Sequence, residues 1–109
     1  MLRINVAPDV VRYAVELVAA TRPNAPQAPE MIRTYVSWGA GPRASQCLVI
    51  GAKARAALRG RPHASREDVA ALAYAVLGHR VLMNFQAEAE GISARLAVDA
   101  ALEAVGREG

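Results

Sequence analysis

The chain has 109 residues, a net charge of +3 and an apolar content of 53%, but only 5% of its residues are aromatic. This length suits one domain with a modest core, and the many alanines favour packed helices over sheets. A single cysteine, Cys47, excludes an internal disulfide, and the sequence shows neither a signal peptide nor an apolar run long enough to cross a bilayer. We therefore expect residues 1–109 to form a single soluble, cytoplasmic domain.

The first third of the chain is predicted to contain one helix and one loop. Apolar residues at three- and four-residue steps predict a helix from Pro8 to about Ala20. Three prolines between Thr21 and Glu30 predict an exposed loop. The segment Met31–Trp38 is expected to be short and extended or irregular, with Trp38 packing against the glycine turn that follows it. The inward stripe of the helix is expected to contain Val11, Ala14, Val15 and Val18, widened by Val10 and Leu17.

Two further helices are predicted in the middle of the chain. The first runs from Pro42 to about Arg59 and ends at Gly60. After a connector at 61–64, Ser65 and Asp68 have the spacing of a capping box, and the periodic residues beyond them predict a helix to about Leu77. The inward residues of the Pro42 helix are expected to be Ala44, Cys47, Leu48, Gly51, Ala54 and Leu58.

The last third is predicted to contain turns and a final helix. Residues 81–83 are expected to form a short apolar turn, and Glu88–Gly91 a polar one. Ser93 is the expected N-cap of the final helix, after which residues 106–109 should fray. These elements predict an all-α fold, a small four-helix bundle with a proline-rich loop after the first helix.

The turn before the Pro42 helix bears most directly on function. Gly39 and Gly41 permit a tight turn, and Pro42 suits the first helical position because a proline has no N–H to leave unpaired there. Gly41 is then the expected N-cap and Arg43 the second helical residue. Since a helix N-terminus is partly positive, an arginine there is either simply solvated or part of an anion site, for which phosphate fits best. Physical reasoning alone leaves both interpretations open.

Charge is unevenly distributed along the chain. From Met31 to Arg66 there are seven basic residues and no acid, whereas from Glu67 onward there are seven acids and three arginines. This separation is compatible with a nucleic-acid-binding face, one side of a charged protein or nucleotide interface, or an ordinary solvated helix face. The seven basic residues are Arg33, Arg43, Lys53, Arg55, Arg59, Arg61 and Arg66.

Patterns typical of catalytic and metal sites are absent from the sequence. It contains neither a GxxxxGK[ST] phosphate loop nor a GxGxxG turn. His63 and His79 have no cysteine or histidine at metal-ligand spacing, and no base lies near Ser45 or Ser65 in the sequence. The chain alone is therefore predicted to have no catalytic residue, no metal site and no cofactor of its own.

Five short motifs occur in order along the chain, namely Gly39–Ala44, Ala52–Ala54, Arg59–Arg61, Ser65–Val69 and Val76–Arg80. Together with Ala20–Pro23 at the end of the first helix, they resemble the C-terminal helical lid domain of MoxR-type AAA+ ATPases. The lid of magnesium-chelatase ATPase subunits is similar but more distant. The ordered series covers nearly the whole chain and is fairly specific, whereas the Gly-Pro-Arg sequence alone would be a weak signal.

The resemblance implies a role for Arg43. In this family the corresponding arginine is the sensor-2 residue, which reaches the terminal phosphates of bound ATP, and Gly39, Gly41 and Pro42 would form its supporting turn. Gly41 stands where the family commonly has serine, and glycine is a tolerable N-cap.

The resemblance also implies a larger assembly. The family's Walker A and B motifs are absent here, so an ATPase core is expected N-terminal to this chain. That core would bind ATP and Mg²⁺ in a full-length protein, which would form a homo-oligomeric, hexameric ring and use ATP hydrolysis for chaperone-like remodelling or maturation of a client protein.

Two other functions remain open from the residues themselves. A helical nucleic-acid-binding module would use the basic stretch 33–66 and would bind in a strongly salt-dependent manner. A helical protein-interaction adaptor would give Arg43 no more importance than Arg55.

Overall fold

A computed structural model describes residues 5–106, and in this part of the chain six helices and four very short strands are present. Four of the helices are long, as the all-α prediction required, and their inward faces share one core. In chain order the elements are β1 (Asn5–Val6), α1 (Pro8–Ala20), α2 (Glu30–Tyr35), β2 (Val36–Trp38), α3 (Arg43–Leu58), β3 (His63–Ala64), α4 (Arg66–Leu77), β4 (Leu82–Met83), α5 (Phe85–Glu90) and α6 (Ala94–Val105).

Helix α1 has the predicted bounds and begins with Pro8 in its first turn. Its buried face is centred on Val10, Tyr13, Ala14 and Leu17. Val11 and Val15, which the periodicity assigned to the inward stripe, are exposed instead. The apolar face of this helix is wider than the part that neighbouring helices cover. Residue spacing alone therefore could not show that Val11 and Val15 lie on the uncovered side.

Helix α3 packs most extensively against α4. Its buried residues lie four apart, at Ala44, Leu48, Ala52 and Ala56. The predicted stripe is therefore only partly correct, and Leu58 is 88% exposed at the end of the helix. The two helices approach closely at Gly51, where an added Cβ would lie 2.8 Å from Cδ1 of Leu72 on α4.

The end of α3 is closed as predicted. Gly60 has a φ of +71°, which favours glycine. Its N–H donates to the carbonyl of Ala57 at 3.1 Å, and the N–H of Arg61 donates to that of Ala56 at 2.9 Å. These two bonds form a Schellman motif, which satisfies carbonyls that the last helical turn leaves unpaired.

The predicted capping box of α4 is confirmed. The N–H of Asp68 donates to Ser65 Oγ at 3.3 Å, and the N–H of Ser65 donates to Asp68 Oδ2 at 2.8 Å. The sequence did not reveal that Asp68 is also fully buried and bound by two arginines. Arg55 Nη1 donates to Oδ1 at 2.6 Å, while Arg61 donates to both carboxylate oxygens at 2.5 and 2.9 Å. One carboxylate thus joins α3, the connector after it and the start of α4.

The environment of Asp68 predicts acid sensitivity. Burial of its carboxyl raises the pKa, but hydrogen bonds from Arg61, Ser65 and Arg55 lower it by more, so the net pKa lies well below the ordinary value of 3.8. A pKa lowered by folding stabilises the fold above the unfolded-state pKa, and this contribution is lost as the pH falls toward the folded-state pKa. The stability difference between the wild-type chain and Asp68→Ala should therefore be constant from about pH 7 to about pH 5 and shrink below about pH 4. Urea unfolding at a series of pH values measures it, and a difference unchanged at about pH 3 would contradict this account of Asp68.

Two predicted irregular segments are helical, which corrects the sequence analysis. The segment 30–35 forms α2 and only 36–38 is extended, while 85–90 forms α5 rather than a polar turn. Asn84 supports α5, because its Oδ1 accepts the N–H of Ala87 at 2.9 Å and its Nδ2 donates to the carbonyl of Thr34 at 2.7 Å. Gly91 ends α5 at a φ of +73°. Both helices are too short to show a periodic stripe.

The short strands connect distant parts of the chain. β1 pairs in parallel with β3, with Val6 opposite Ala64, and β2 pairs antiparallel with β4, with Trp38 opposite Leu82. The expected connector 61–64 and apolar turn 81–83 therefore contain strand residues. Ser93 flanks α6 at the predicted N-cap, although its side chain makes no capping hydrogen bond. The expected fraying concerns mainly residues 107–109, which lie outside the described part of the chain.

The proline-rich loop after α1 is held against the fold more firmly than predicted. Thr21 and Ala28 are buried. Arg33 on α2 donates to the carbonyls of Ala28, Ala25 and Pro26 at 3.0–3.1 Å. No helix within residues 5–106 has the length and hydropathy needed to span a membrane.

Candidate functional site

The turn before α3 is attached to the end of α1. Thr21 Oγ1 accepts the N–H of Ala40 at 3.1 Å and donates to the carbonyl of Val18 at 2.6 Å. The next residue, Arg22, donates from Nε to the carbonyl of Ala40 at 3.0 Å. Consecutive residues of the α1 terminus therefore hold both backbone polar groups of Ala40.

The two glycines of the turn have different roles. A Cβ added at Gly39 would lie 2.6 Å from the backbone oxygen of Thr21 and 2.7 Å from Cα of Arg22, so only glycine fits this close backbone approach. A Cβ added at Gly41 would meet nothing within 4 Å. Packing therefore requires the first glycine and leaves the second free to vary.

The start of α3 differs from the prediction by one residue. The helix begins at Arg43 and Pro42 is its flanking residue, although the dihedral angles of Pro42 are already helical at φ −60° and ψ −29°. The N–H of Ala44 donates to the carbonyl of Gly41 at 3.0 Å. Arg43 thus lies in the first helical turn, at the end where unpaired N–H groups and the helix dipole favour an anion.

The side chain of Arg43 is exposed and makes no hydrogen bond or ion pair within residues 5–106. Helix α3 contains no acidic residue that could neutralise it. A guanidinium at the positive end of a helix, without a partner in the described chain, can donate to an incoming phosphate through two N–H groups at once.

A cleft of about 440 Å³ lies beside this turn, between residues 22–25 and 37–42. Trp38 contributes to its wall and is 70% exposed, so its predicted role as a packing anchor for the turn is wrong. Trp38 lies opposite Leu82 on a two-stranded ribbon whose outer face has no covering element among the described residues. Thr21 and Arg22 anchor the turn instead. The Ala20–Pro23 motif was the only sequence signal for them.

The structure divides the seven basic residues of the 31–66 stretch into two groups. Four have partners: Arg33 binds loop carbonyls, Arg55 and Arg61 bind Asp68, and Arg66 lies 3.2 Å from Asp9 Oδ2. The other three of the seven, Arg43, Lys53 and Arg59, have side chains with no hydrogen-bond or ion-pair partner within residues 5–106. A continuous nucleic-acid face made of all seven charges is therefore not present, since most of them stabilise the fold.

The remaining candidate residues do not form a reactive cluster. His63 and His79 are exposed, and Cys47 is partly buried with its Sγ 3.7 Å from Nη2 of Arg80. The described residues include no group of three histidine, cysteine, aspartate or glutamate side chains that could hold a metal ion.

The sequence matches the AAA lid domain family over residues 28–101. The chain therefore belongs to this family, and its relatives place it among the MoxR type. It is 32% identical to the chaperone MoxR1 of Mycobacterium tuberculosis over 96 residues, which cover 88% of this chain and 26% of that protein. A crystal structure from Cytophaga hutchinsonii, described as an ATPase, superposes with a TM-score of 0.87 at 37% identity, covering 93% of this chain and 31% of the other. The chain thus spans about a quarter to a third of the length of these relatives.

Proposed function

We propose that this domain closes over ATP bound by a separate AAA+ core and that Arg43 contacts the terminal phosphates as the sensor-2 arginine. The observation that carries the proposal is the guanidinium of Arg43 at the start of α3, which has no partner within residues 5–106 and lies on a turn that Gly39, Thr21 and Arg22 hold in place. The core would bind ATP and Mg²⁺, and the lid would supply no catalytic residue of its own.

The chemistry of ATP hydrolysis explains why such an arginine is useful. Negative charge on the transferred phosphoryl group is spread over its oxygens in the transition state, and a positioned cation stabilises it. A guanidinium whose turn is already fixed needs little reorganisation when the nucleotide arrives. Arg22, Thr21 and Gly39 would therefore act by positioning Arg43.

The larger assembly is part of the same proposal. Because a relative in this family is described as a chaperone, we propose that the complete protein is a cytoplasmic ATPase that couples hydrolysis to remodelling or maturation of client proteins. A homo-oligomeric, hexameric ring would place this domain beside the core of its own or a neighbouring subunit.

The test is steady-state ATP hydrolysis by the protein that carries both core and lid. Arg43→Ala should lower turnover at saturating ATP by tenfold or more, which corresponds to about 1.4 kcal/mol of lost transition-state stabilisation. The matched control is Arg59→Ala, because Arg59 is also exposed and without a partner in the described chain but lies at the other end of α3. Equal turnover in the wild type and both variants, with the fold intact by circular dichroism, would refute the sensor role and favour the adaptor function.

A further inference from the structure

The cleft beside the Arg43 turn has two walls that are fixed by hydrogen bonds within the chain. Residues 22–25 form one wall and residues 37–42 the other. The bonds from Ala40 to Thr21 and Arg22 join the two walls, and Ser37 Oγ donates to the carbonyl of Leu82 at 3.1 Å. The volume of about 440 Å³ is within the range of small-molecule sites in proteins. The cleft is therefore a preformed space of the size that a small organic ligand needs.

One wall of the cleft carries the only tryptophan in the sequence, Trp38. Tryptophan side chains are mostly buried in folded proteins, whereas this one is largely exposed. An indole ring offers a flat π surface, on which a second flat ring can stack. The position of Trp38 therefore favours a ligand with a planar aromatic ring.

The opposite wall supplies polar groups that the fold does not use. The Nε of Arg22 is bound to the carbonyl of Ala40, but its two Nη groups make no hydrogen bond within residues 5–106. The side-chain amide of Asn24 is exposed and also makes no hydrogen bond in this part of the chain. An asparagine amide carries a donor beside an acceptor, the pattern that pairs with the amino group and ring nitrogen on one edge of adenine. The cleft thus combines a stacking surface with groups that match a nitrogen-rich ring.

We propose that this cleft binds the adenine ring of the nucleotide, with the ring stacked on Trp38 and its edge paired with the amide of Asn24. The inference rests on the proposed function, because it concerns the same nucleotide whose terminal phosphates Arg43 would contact. Pro42 lines the cleft and directly precedes Arg43. The Cα atoms of Trp38 and Arg43 lie within about 18 Å of each other, since five residues separate them. One extended nucleotide can therefore reach both side chains.

An aromatic side chain of a protein partner fits the cleft less well. It could stack on Trp38, but it has no adjacent donor and acceptor for the amide of Asn24. The chemistry of the two walls together therefore favours a nucleotide base.

A comparison of two ligands tests the role of Trp38 in the protein that carries core and lid. The ligands are a non-hydrolysable ATP analogue and inorganic triphosphate, which has no base, and isothermal titration calorimetry gives both dissociation constants. Trp38→Ala should raise the constant of the analogue at least fivefold and leave that of inorganic triphosphate within twofold. Trp38→Phe, which keeps an aromatic ring, should recover most of the loss. A purely structural role of Trp38 would weaken both ligands equally.

Phe85→Ala is the matched control, because Phe85 is also an exposed aromatic residue but does not line the cleft. We expect both dissociation constants to be unchanged in this variant. An unchanged affinity for the analogue in Trp38→Ala, or an equal loss for the two ligands, would overturn the proposal. Asn24→Ala should weaken the analogue severalfold and spare inorganic triphosphate. Unchanged binding in that variant would overturn the assigned edge contact.

Photolabelling with 8-azido-ATP locates the ring directly. Trypsin cleaves after arginine, so that Trp38 is released in peptide 34–43 and Phe85 in peptide 81–95. Within this domain, we expect label in peptide 34–43 or in the peptide that contains Asn24, and none in peptide 81–95. Label confined to peptides of the core would contradict the proposed position of the ring.

The outcomes separate this inference from the proposed function. Loss of turnover in Arg43→Ala, together with unchanged affinity for the analogue in Trp38→Ala, would retain the sensor role and reject the adenine site. Full turnover in Arg43→Ala, together with a selective loss of the analogue in Trp38→Ala, would retain the adenine site and reject the sensor role.

Discussion

Replacing Asp68 with alanine should lower the free energy of unfolding of the chain by about 3 kcal/mol. The substitution removes one half of the capping box of α4, the hydrogen bond from the Ser65 N–H to the Asp68 carboxylate, which contributes about 1 kcal/mol. It also leaves Arg55 and Arg61 without their shared carboxylate. Breaking a fully buried ion pair costs about 3–5 kcal/mol, but the two arginine side chains are 22% and 39% exposed and can be partly rehydrated. The loss from the ion pairs is therefore below that range.

Urea unfolding followed by circular dichroism measures this effect, since a domain of this size is expected to unfold in one transition. The control is Glu67→Ala, which removes an exposed acid one residue earlier in the same helical turn and should change stability by less than about 0.5 kcal/mol. Equal losses in the two variants would mean that first-turn charge matters more than the contacts of Asp68.

Gly39→Ala is expected to destabilise the chain by about 1–3 kcal/mol, a typical cost of forcing an atom into a packed site. The new methyl group would lie against the backbone of Thr21 and Arg22, which cannot move aside as a flexible side-chain tip can. The turn would have to shift, and the hydrogen bonds to Ala40 would lengthen or break. In a protein that carries the ATPase core, we expect the same substitution to lower turnover because Arg43 moves with the turn.

Gly41→Ala is the matched control, because it adds the same methyl group two residues later in open space. We expect its unfolding midpoint in urea to remain close to that of the wild type. If both glycine variants lose stability equally, backbone flexibility of the turn is important and the close approach at Gly39 is not.

Much of the fold follows from local patterns in the sequence. Pro8, Gly60 and the Ser65–Asp68 spacing set helix boundaries through contacts within a few residues, and the structure has all three where they were predicted. The turn and Arg43 were also identified, because a proline after glycine and a cation at a helix N-terminus are local signals. The sensor-2 role itself stays a prediction.

The remaining features depend on residues far apart in the sequence. Asp68 was identified as a capping residue, but its bonds to Arg55 and Arg61 depend on how α3 packs on α4. Trp38 was expected to pack because it is large and apolar, yet its exposure depends on which face of the β2–β4 ribbon is covered. Helices α2 and α5 have six residues each, too few for a periodic pattern, although Asn84 is a recognisable start signal and Gly91 a recognisable stop signal for α5.

The two bonds to Ala40 have a mechanical consequence. Because the N–H and the carbonyl of one residue are held by consecutive residues at the end of α1, the turn cannot swing independently of that helix. A tilt of α1 would therefore act as a lever and displace the Arg43 guanidinium as part of one rigid body. In a protein that joins this domain to a core through α1, a movement of the linker between core and α1 would change the position of Arg43 relative to the phosphate. Release of the phosphate from Arg43 would in turn allow α1 and the linker to move.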